Sequence, residues 1–557
     1  MSIPCLSTPR LNWEFLSLSV EQKYAFAKFI QGHNLFITGP GGTGKTRLIQ
    51  FMVEYMNSIG KSHQVCALTG CAATLLNCKA KTIHSWSGIK LAKGDPENII
   101  RRVVKGRCYP KAWRGVDVLI VDEVSMMSRK MFEILDQIGR TVRKMGSKPF
   151  GGIQLIFTGD FFQLPPIPDQ DDPTSGEFCF QHPRWCKTFK PENCIELKTF
   201  FRQTDPTYIS ILQEVRRGTI SPSNIQLLQT RLMRENVLEE LKDGIVPTKL
   251  FPVRTKVETI NETSYEKLKG EEVVYNFTFT TKAKVHIDSG TALFPSELSH
   301  CEELTSEQLS QEIDNLITSL LTEKTIRLKI GALVMCTANI DMEKGICNGS
   351  QGIVIGYSGS ISTLPEDLMT KKSTTLFVPV VRFANGVILK VAPYQRQSEE
   401  FPCVIVSQIP LCLAWALTIH KIQGATLDMA EIDIGRSIFA PGQSYVALSR
   451  VKTLEGLYLS EFYSTKIKAN PIVIEFYDSF PQLEKEEMER QTNEIMAITK
   501  PAVQAVELKQ SSMQTFLATA TTANPFEHLS YSESRELEEE PIEQKDPTIK
   551  TIKLSKY

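Results

Sequence analysis

The eight residues Gly39-Pro40-Gly41-Gly42-Thr43-Gly44-Lys45-Thr46 constrain this chain more than any other stretch. They fit G-x-x-x-x-G-K-[ST]. A short apolar run, Asn34 to Thr38, precedes them, and a segment of helical spacing follows from Lys45 to Met56, with Leu48, Ile49, Met52, Val53 and Met56 on one face. A strand, a glycine-rich turn and a helix in that order make a cradle for phosphate. The glycines let successive backbone N–H groups converge on one anion, and the helix turns its positive end toward it. Lys45 is expected to reach the β- and γ-phosphates of ATP, and Thr46 to ligate Mg²⁺. A plain glycine-rich turn is the competing reading, and the strand–turn–helix context argues against it.

The same alternation continues. Val65–Thr69, Val116–Val121 and Ile153–Thr158 are further apolar runs, the second almost wholly so. Such runs suit a parallel sheet covered on both faces, and the pattern predicts a doubly wound α/β domain over residues 1–198. A second α/β unit is expected over 199–275 and 403–480. Between them, 276–402 holds β-branched stretches such as Gly349-Ser350-Gln351-Gly352-Ile353-Val354-Ile355, read as a small β-barrel insertion. Residues 481–557 turn polar and are expected to be mostly disordered.

The 557 residues carry no net charge, but their distribution is uneven. Pro481–Tyr557 holds 14 acidic against 9 basic residues, and Ser296–Lys324 holds 7 against 1. The rest is therefore basic, as suits a polyanion ligand. No apolar run reaches the length of a membrane span, and the start lacks a secretory core. The 13 cysteines show no Cys-x-x-Cys or zinc spacing. They are read as reduced thiols, pointing to the nucleus, the cytosol or a viral factory.

Several other residues suit chemistry on a bound triphosphate. Leu119-Ile120-Val121-Asp122-Glu123 would place Asp122 at a strand's carboxyl end to hold Mg²⁺ and Glu123 to orient the attacking water. Gln163, in Gly159-Asp160-Phe161-Phe162-Gln163, is a candidate sensor of the γ-phosphate, since an amide both donates and accepts; an amide satisfying its own loop is the alternative. Arg202 and Arg450 are candidates for the positive charge that phosphoryl transfer needs. By spacing alone, either is as readily a salt-bridged surface arginine. Thr418-Ile419-His420-Lys421-Ile422-Gln423 clusters donors for phosphate or sugar, although a lone His420 is as readily structural. Thr82-Ile83-His84-Ser85-Trp86 adds an aromatic for base stacking, against core packing for Trp86.

Together these residues resemble the Pif-type (petite integration frequency) DNA helicases, in the RecD-like branch 1B of superfamily 1, from about Leu18 to Glu475. Ser19-Val20-Glu21-Gln22 looks like the family's adenine-reading motif, with Gln22 as reader, and Gly39–Thr46 is its motif I. Leu68 to Ala73 and Thr82 to Gly88 resemble the DNA-touching motifs Ia and Ib, and Asp122 to Met126 motif II. The most specific stretch is Phe150-Gly151-Gly152-Ile153-Gln154-Leu155 running into Gly159–Pro166, with Phe132, Leu135, Arg140 and Arg143 before it. Leu197–Gln203 resembles motif IV, with Arg202 as one arginine finger. Thr418–Gly424 resembles motif V, and Tyr445-Val446-Ala447-Leu448-Ser449-Arg450 motif VI, with Arg450 as the second finger.

The resemblance implies two RecA-like domains, a wedge near residues 91–114 and an SH3-like barrel inserted in the second domain. It implies an ATP- and Mg²⁺-dependent motor moving 5′ to 3′ on single-stranded DNA and opening forked duplex in replication, repair or recombination, acting as a monomer. DNA contacts are expected from Thr69, His84, Trp86, Thr418, His420, Lys421, Gln423, Tyr445 and Ser449. Ile422 and Trp86 depart from the family pattern, and the acidic stretch at 296–324 reads as an extra insertion. A motor on RNA or RNA–DNA hybrids, and a scaffold with a dead ATPase, are the rival readings. In the tail, Gln510-Ser511-Ser512-Met513-Gln514-Thr515-Phe516-Leu517 resembles a sliding-clamp peptide, set against a plain linker.

Overall fold

The computed structural model describes residues 15–497 except 77, 79, 91, 93, 107–108, 169–171, 233–246, 288–289, 291, 294, 320–322, 342–343, 347, 361–375, 399–400, 420–421, 425, 428 and 482. His420, Lys421 and the Gln510–Leu517 peptide therefore lie outside the described residues.

Six parallel strands form the first sheet: β1 (Leu35–Thr38), β2 (His63–Ala67), β3 (Lys81–Thr82), β4 (Val118–Asp122), β5 (Gln154–Thr158) and β6 (Cys194–Glu196), in the order β3-β2-β4-β5-β1-β6. Successive side chains point to opposite faces of a strand, and here both faces are covered. Leu119 and Val121 enter one core, Val118 and Ile120 the other; Phe36 and Phe157 join the first, Ile37 and Ile156 the second. This explains why β4 and β5 read as unbroken apolar runs. Because β5 lies between β1 and β4, its carboxyl end is flanked by the phosphate loop on one side and Asp122 on the other.

The family-specific stretch is a scaffold for β5. Asp136, fully buried on the helix Arg129–Val142, takes two bonds from Arg140 Nε at 2.8 Å each, one from Arg184 at 3.0 Å and one from the Phe150 N–H at 2.8 Å. Arg143 donates to the carbonyls of Gly151, Trp113, Arg114 and Val116. Gly151 has φ +66°, and a Cβ there would lie 2.3 Å from the Gly139 carbonyl oxygen, so a side chain is excluded twice over.

The second sheet is also parallel: Ala416–Thr418, Thr248–Phe251, Ala430–Ile434 and Leu457–Phe462, in that order. Between its first two strands in sequence come antiparallel elements. A five-stranded sheet and a two-stranded one share a core that includes Tyr275, Leu328, Val334, Val354 and Val381. The acidic stretch forms two helices, Pro295–Glu302 and Ser306–Ser319; Ile313, Leu316 and Ile317 of the second pack with Val406, on the strand Ile405–Gln408 of a three-stranded sheet, and with Phe401, in the connection before that strand.

Three boundaries differ from expectation. The insertion begins before residue 276, since Val273–Asn276 pairs with Thr325–Leu328. The insertion does not end at residue 402: Ile405–Gln408 pairs with Tyr394–Gln397 and Thr278–Thr280, and Leu411–Leu413 pairs with Leu333–Cys336. Nor is the chain shapeless from 481. Residues 485–497 are helical, and Met488, Ile495 and Met496 bury against the first sheet. Charged residues fill most of the outer face, so the composition there reads as polar. The segment expected as a wedge forms the helices Pro96–Lys105 and Tyr109–Gly115, anchored by buried Ile99, Val103 and Trp113.

Candidate nucleotide-hydrolysis site

The phosphate loop leaves β1 at Thr38 and enters the helix Lys45–Ser58. Later parts of the chain press onto it. The Phe201 N–H donates to the Gly42 carbonyl at 2.9 Å, and the Gly41 N–H donates to the Tyr445 hydroxyl at 2.9 Å. A Cβ at Gly42, where φ is +90°, would lie 2.7 Å from Arg202 Cβ; one at Gly41 would lie 3.3 Å from Arg450 Nη2. Glycine is required at Gly42 by both its backbone conformation and the Arg202 side chain, while at Gly41 a side chain would crowd the Arg450 guanidinium. Thr43 Oγ1 donates to the Pro40 carbonyl at 2.9 Å, and Lys45 Nζ folds back on the carbonyls of Gly39 and Pro40 at 2.7 and 3.0 Å. Burial lowers the Lys45 pKa, while Asp160, Glu123 and Asp122 oppose that shift. Thr46 is half-buried in the first turn of the helix.

Asp122 ends β4. Its Oδ1 accepts from the Thr158 hydroxyl and, at 2.9 Å, from the Glu123 N–H. Glu123 has φ +56°, a left-handed conformation that a non-glycine residue adopts at a cost and that recurs at functional sites. Its Oε2 accepts from Gln423 Nε2 at 3.0 Å. Burial, and then Asp122, push the Glu123 carboxyl up to about 7, with Lys45, Arg450 and Gln423 resisting. Gln163 is 5% exposed, and its Oε1 has no hydrogen-bond partner among the described residues. An amide oxygen left unsatisfied in a buried site beside a phosphate loop suits a ligand contact.

Both arginines reach this cleft. Arg450, 1% exposed, donates to the Val446 carbonyl at 2.9 Å and the Ser449 hydroxyl at 2.7 Å. Arg202 donates to the carbonyls of Ser449 and Gly424 at 3.1 and 3.3 Å. Burial first, then the neighbouring Arg450, lowers the Arg202 pKa to about 9. Two guanidiniums held together this way favour an anion between them.

Five of the expected residues make protein contacts that their expected roles did not call for. Tyr445 and Ser449, expected on DNA, are 2% and 1% exposed and belong to the nucleotide cleft. Gln423, also expected on DNA, is 7% exposed and spends its amide on Glu123. Trp86 stacks in the core against Trp113, ring centroids 4.7 Å apart, so its core reading holds. Gln22 was expected to read adenine. Instead its Nε2 donates to the carbonyls of Thr43 and Gly44 at 3.4 and 3.1 Å, and its Oε1 accepts from the Ser19 N–H at 2.9 Å as half of a capping box. Its bonds brace the loop from behind.

Of the remaining expected DNA contacts, Thr69 follows β2 and caps the next helix through the Ala72 N–H at 3.2 Å. His84 follows β3, and burial lowers its pKa to about 4. Thr418 ends its strand, 9% exposed.

Sequence reasoning missed Gln203, Tyr208, Arg216 and Tyr477. Gln203 Nε2 donates to the carbonyls of Ser449 and Val451 and Tyr208 to that of Leu448, fastening the segment after β6 to the end of the helix Gln443–Leu448 and the turn that follows it. Only the adjacency of Gln203 to Arg202 hinted at it.

Comparison with known proteins agrees with this geometry. The family model described as PIF1-like helicase matches residues 17–226, and that of the DNA helicase Pif1 2B domain matches 313–357. The ATP-dependent DNA helicase PIF1 of Xenopus laevis is 34% identical over 88% of this chain and 67% of its own length. The Pif1 helicase of Candida albicans superposes with a TM-score of 0.65 at 32% identity, covering 83% of this chain and 99% of that one. A Bacteroides Pif1 in complex with ADP-AlF4 gives 0.62 at 27%, covering 83% and 96%. The chain spans about two thirds of the length of the curated relatives it matches, 63 to 67% in three vertebrates. With two RecA-like sheets, a phosphate loop and two arginines closing on it, the chain belongs to the PIF1-like helicase family.

Proposed function

We propose that this chain is an ATP-dependent DNA helicase that hydrolyses ATP between its two RecA-like domains and moves 5′ to 3′ along single-stranded DNA, opening forked duplex. One observation carries the reading: Lys45, Glu123, Arg202 and Arg450 converge on one phosphate loop, the arginines held by second-domain groups and abutting Gly41 and Gly42 of the first domain. The relative from Xenopus laevis bears the name of a DNA helicase, and the Bacteroides relative is held with a nucleotide mimic, which supports both substrate classes.

The roles follow from position. Lys45 and the loop N–H groups hold the β- and γ-phosphates. Glu123, fixed by Gln423, takes up and orients the attacking water. Gln163 faces the γ-phosphate through its amide N–H, its free amide oxygen accepts from the attacking water, and Arg202 and Arg450 bind the equatorial phosphate oxygens in the transition state. The oxygens available to Mg²⁺ fit that ion: the Thr46 hydroxyl and Asp122 Oδ2, with both protein bonds to Asp122 falling on Oδ1. Mg²⁺ characteristically takes one or two protein oxygens and completes its shell with phosphates and water. When bound, it neutralises phosphate charge. Loss of the γ-phosphate loosens the bridge to the two arginines, and the domains separate.

The test is ATP turnover with single-stranded DNA, with RNA and with neither. Stimulation by DNA, abolished in Lys45→Ala while DNA binding persists, is expected. Equal or greater stimulation by RNA would move the reading to an RNA motor, and near-normal turnover in Lys45→Ala would remove the phosphate-loop assignment.

A further inference from the structure

Tyr477 stands where three elements meet behind the phosphate loop. It lies near the end of the helix Pro471–Asp478 and is 3% exposed. Its hydroxyl bonds to Thr38 Oγ1, accepts from the Phe161 N–H at 3.1 Å and lies 3.3 Å from Asp160 Oδ1. A phenol has one proton and two lone pairs. The three contacts use all of them: the proton goes to the Asp160 carboxylate, and the lone pairs take the Phe161 N–H and the Thr38 O–H. Burial foremost, and then Asp160, hold the phenol well above its usual range, so it keeps that proton.

The partners are the two edges of the site. Thr38 is the last residue before the loop. Asp160 opens the turn that ends at Gln163: its carbonyl accepts the Gln163 N–H at 2.9 Å, and its Oδ1 accepts the Phe162 N–H at 3.3 Å. Arg216, at the end of the helix Pro206–Arg216, grips the same carboxylate through Nε at 3.1 and 3.2 Å and Nη2 at 3.0 Å, and reaches Glu196 at the end of β6 at 2.8 Å. Its guanidinium also lies over the rings of Phe162 at 4.7 Å and Tyr477 at 5.2 Å.

We propose that Tyr477, together with Arg216, is a positioning residue for ATP hydrolysis. It ties the Asp160–Gln163 turn to the end of β1, so that the free amide oxygen of Gln163 stands at a fixed place beside the phosphate loop. The inference rests on the reading of Gln163 as the group beside the γ-phosphate whose free amide oxygen accepts from the attacking water.

Tyr477→Phe in the full chain tests it. The ring remains, with its contacts to Phe162 and Phe480 at 4.7 and 5.1 Å, and only the hydroxyl goes. With saturating single-stranded DNA, kcat should fall about tenfold, the scale of one lost hydrogen bond, with KM for ATP unchanged. Affinity for ADP should hold, and affinity for ADP with aluminium fluoride should fall by about the same factor. Adding Tyr477→Phe to Gln163→Ala should cost nothing further, because the one acts through the other. Thr38→Val, which removes a partner from the other side, should act in the same direction. Equal losses for ADP and for the fluoride complex, additive losses in the double variant, or an unchanged kcat would each overturn the proposal. A wild-type chain that binds no ADP would overturn the nucleotide reading, and this inference with it.

Discussion

Gln423→Ala separates two accounts of the same residue. By family resemblance Gln423 belongs to a motif that touches DNA; in the structure its side chain is 7% exposed and donates to Glu123 Oε2 at 3.0 Å. A hydrogen bond to a charged group contributes about 1.5–3 kcal/mol. Glu123 is already held in a left-handed backbone conformation; burial and Asp122 oppose its charge, while Lys45 and Arg450 support it through space. Losing the one side-chain donor that orients it among the described residues should therefore appear in the transition state, as a fall of about 10- to 100-fold in kcat. The measurement is steady-state ATP turnover at saturating single-stranded DNA, paired with DNA affinity by fluorescence anisotropy. The structure requires kcat to fall and affinity to hold. A variant with intact kcat at saturating DNA and about tenfold weaker DNA binding would refute the placement of Gln423 in the hydrolysis site.

Trp86→Ala should destabilise the fold by about 3–5 kcal/mol, as large core truncations do, because Trp86 packs on Trp113 in the first-domain core. Thermal unfolding reads this, and a stable variant with weak DNA binding would return Trp86 to the DNA face. His84 has its pKa lowered to about 4 by burial. The unfolded chain thus binds a proton there first, and stability is lost as pH falls from about 6.5 toward 4. His84→Gln should lessen that loss in denaturant titrations across the same window; an unchanged pH dependence would contradict a buried neutral histidine. Arg450→Ala should cut kcat by about 10³–10⁵ with little change in KM for ATP, and an effect confined to KM would make Arg450 a ground-state contact.

The phosphate loop and its sheet were legible because their constraints are local. A glycine-rich turn after an apolar strand has few alternatives, and strands buried on both faces show it in every residue, as Val118–Asp122 does. The arginines were harder: nothing around Arg202 or Arg450 in sequence distinguishes a finger from a surface charge, and the expectation of two fingers came from the resemblance. What stayed hidden was direction. A motif names residues without saying which way they point, so Gln423, Tyr445 and Ser449 were assigned to DNA although they face the nucleotide cleft. Tyr477 and Arg216 were invisible because their partners are far away in the chain and neither sits in a motif. The helix at 485–497 was missed because three buried apolar side chains carry it amid charged neighbours.

The most direct measurement is unwinding of duplexes with a single-stranded tail at the 5′ or the 3′ end, with ATP and Mg²⁺, by the full chain and by Lys45→Ala. A motor driven from this cleft should open the 5′-tailed duplex and leave the 3′-tailed one closed, and the variant should open neither. Unwinding that persists in Lys45→Ala, or that proceeds without ATP, would contradict the claim that the phosphate loop drives the protein along DNA.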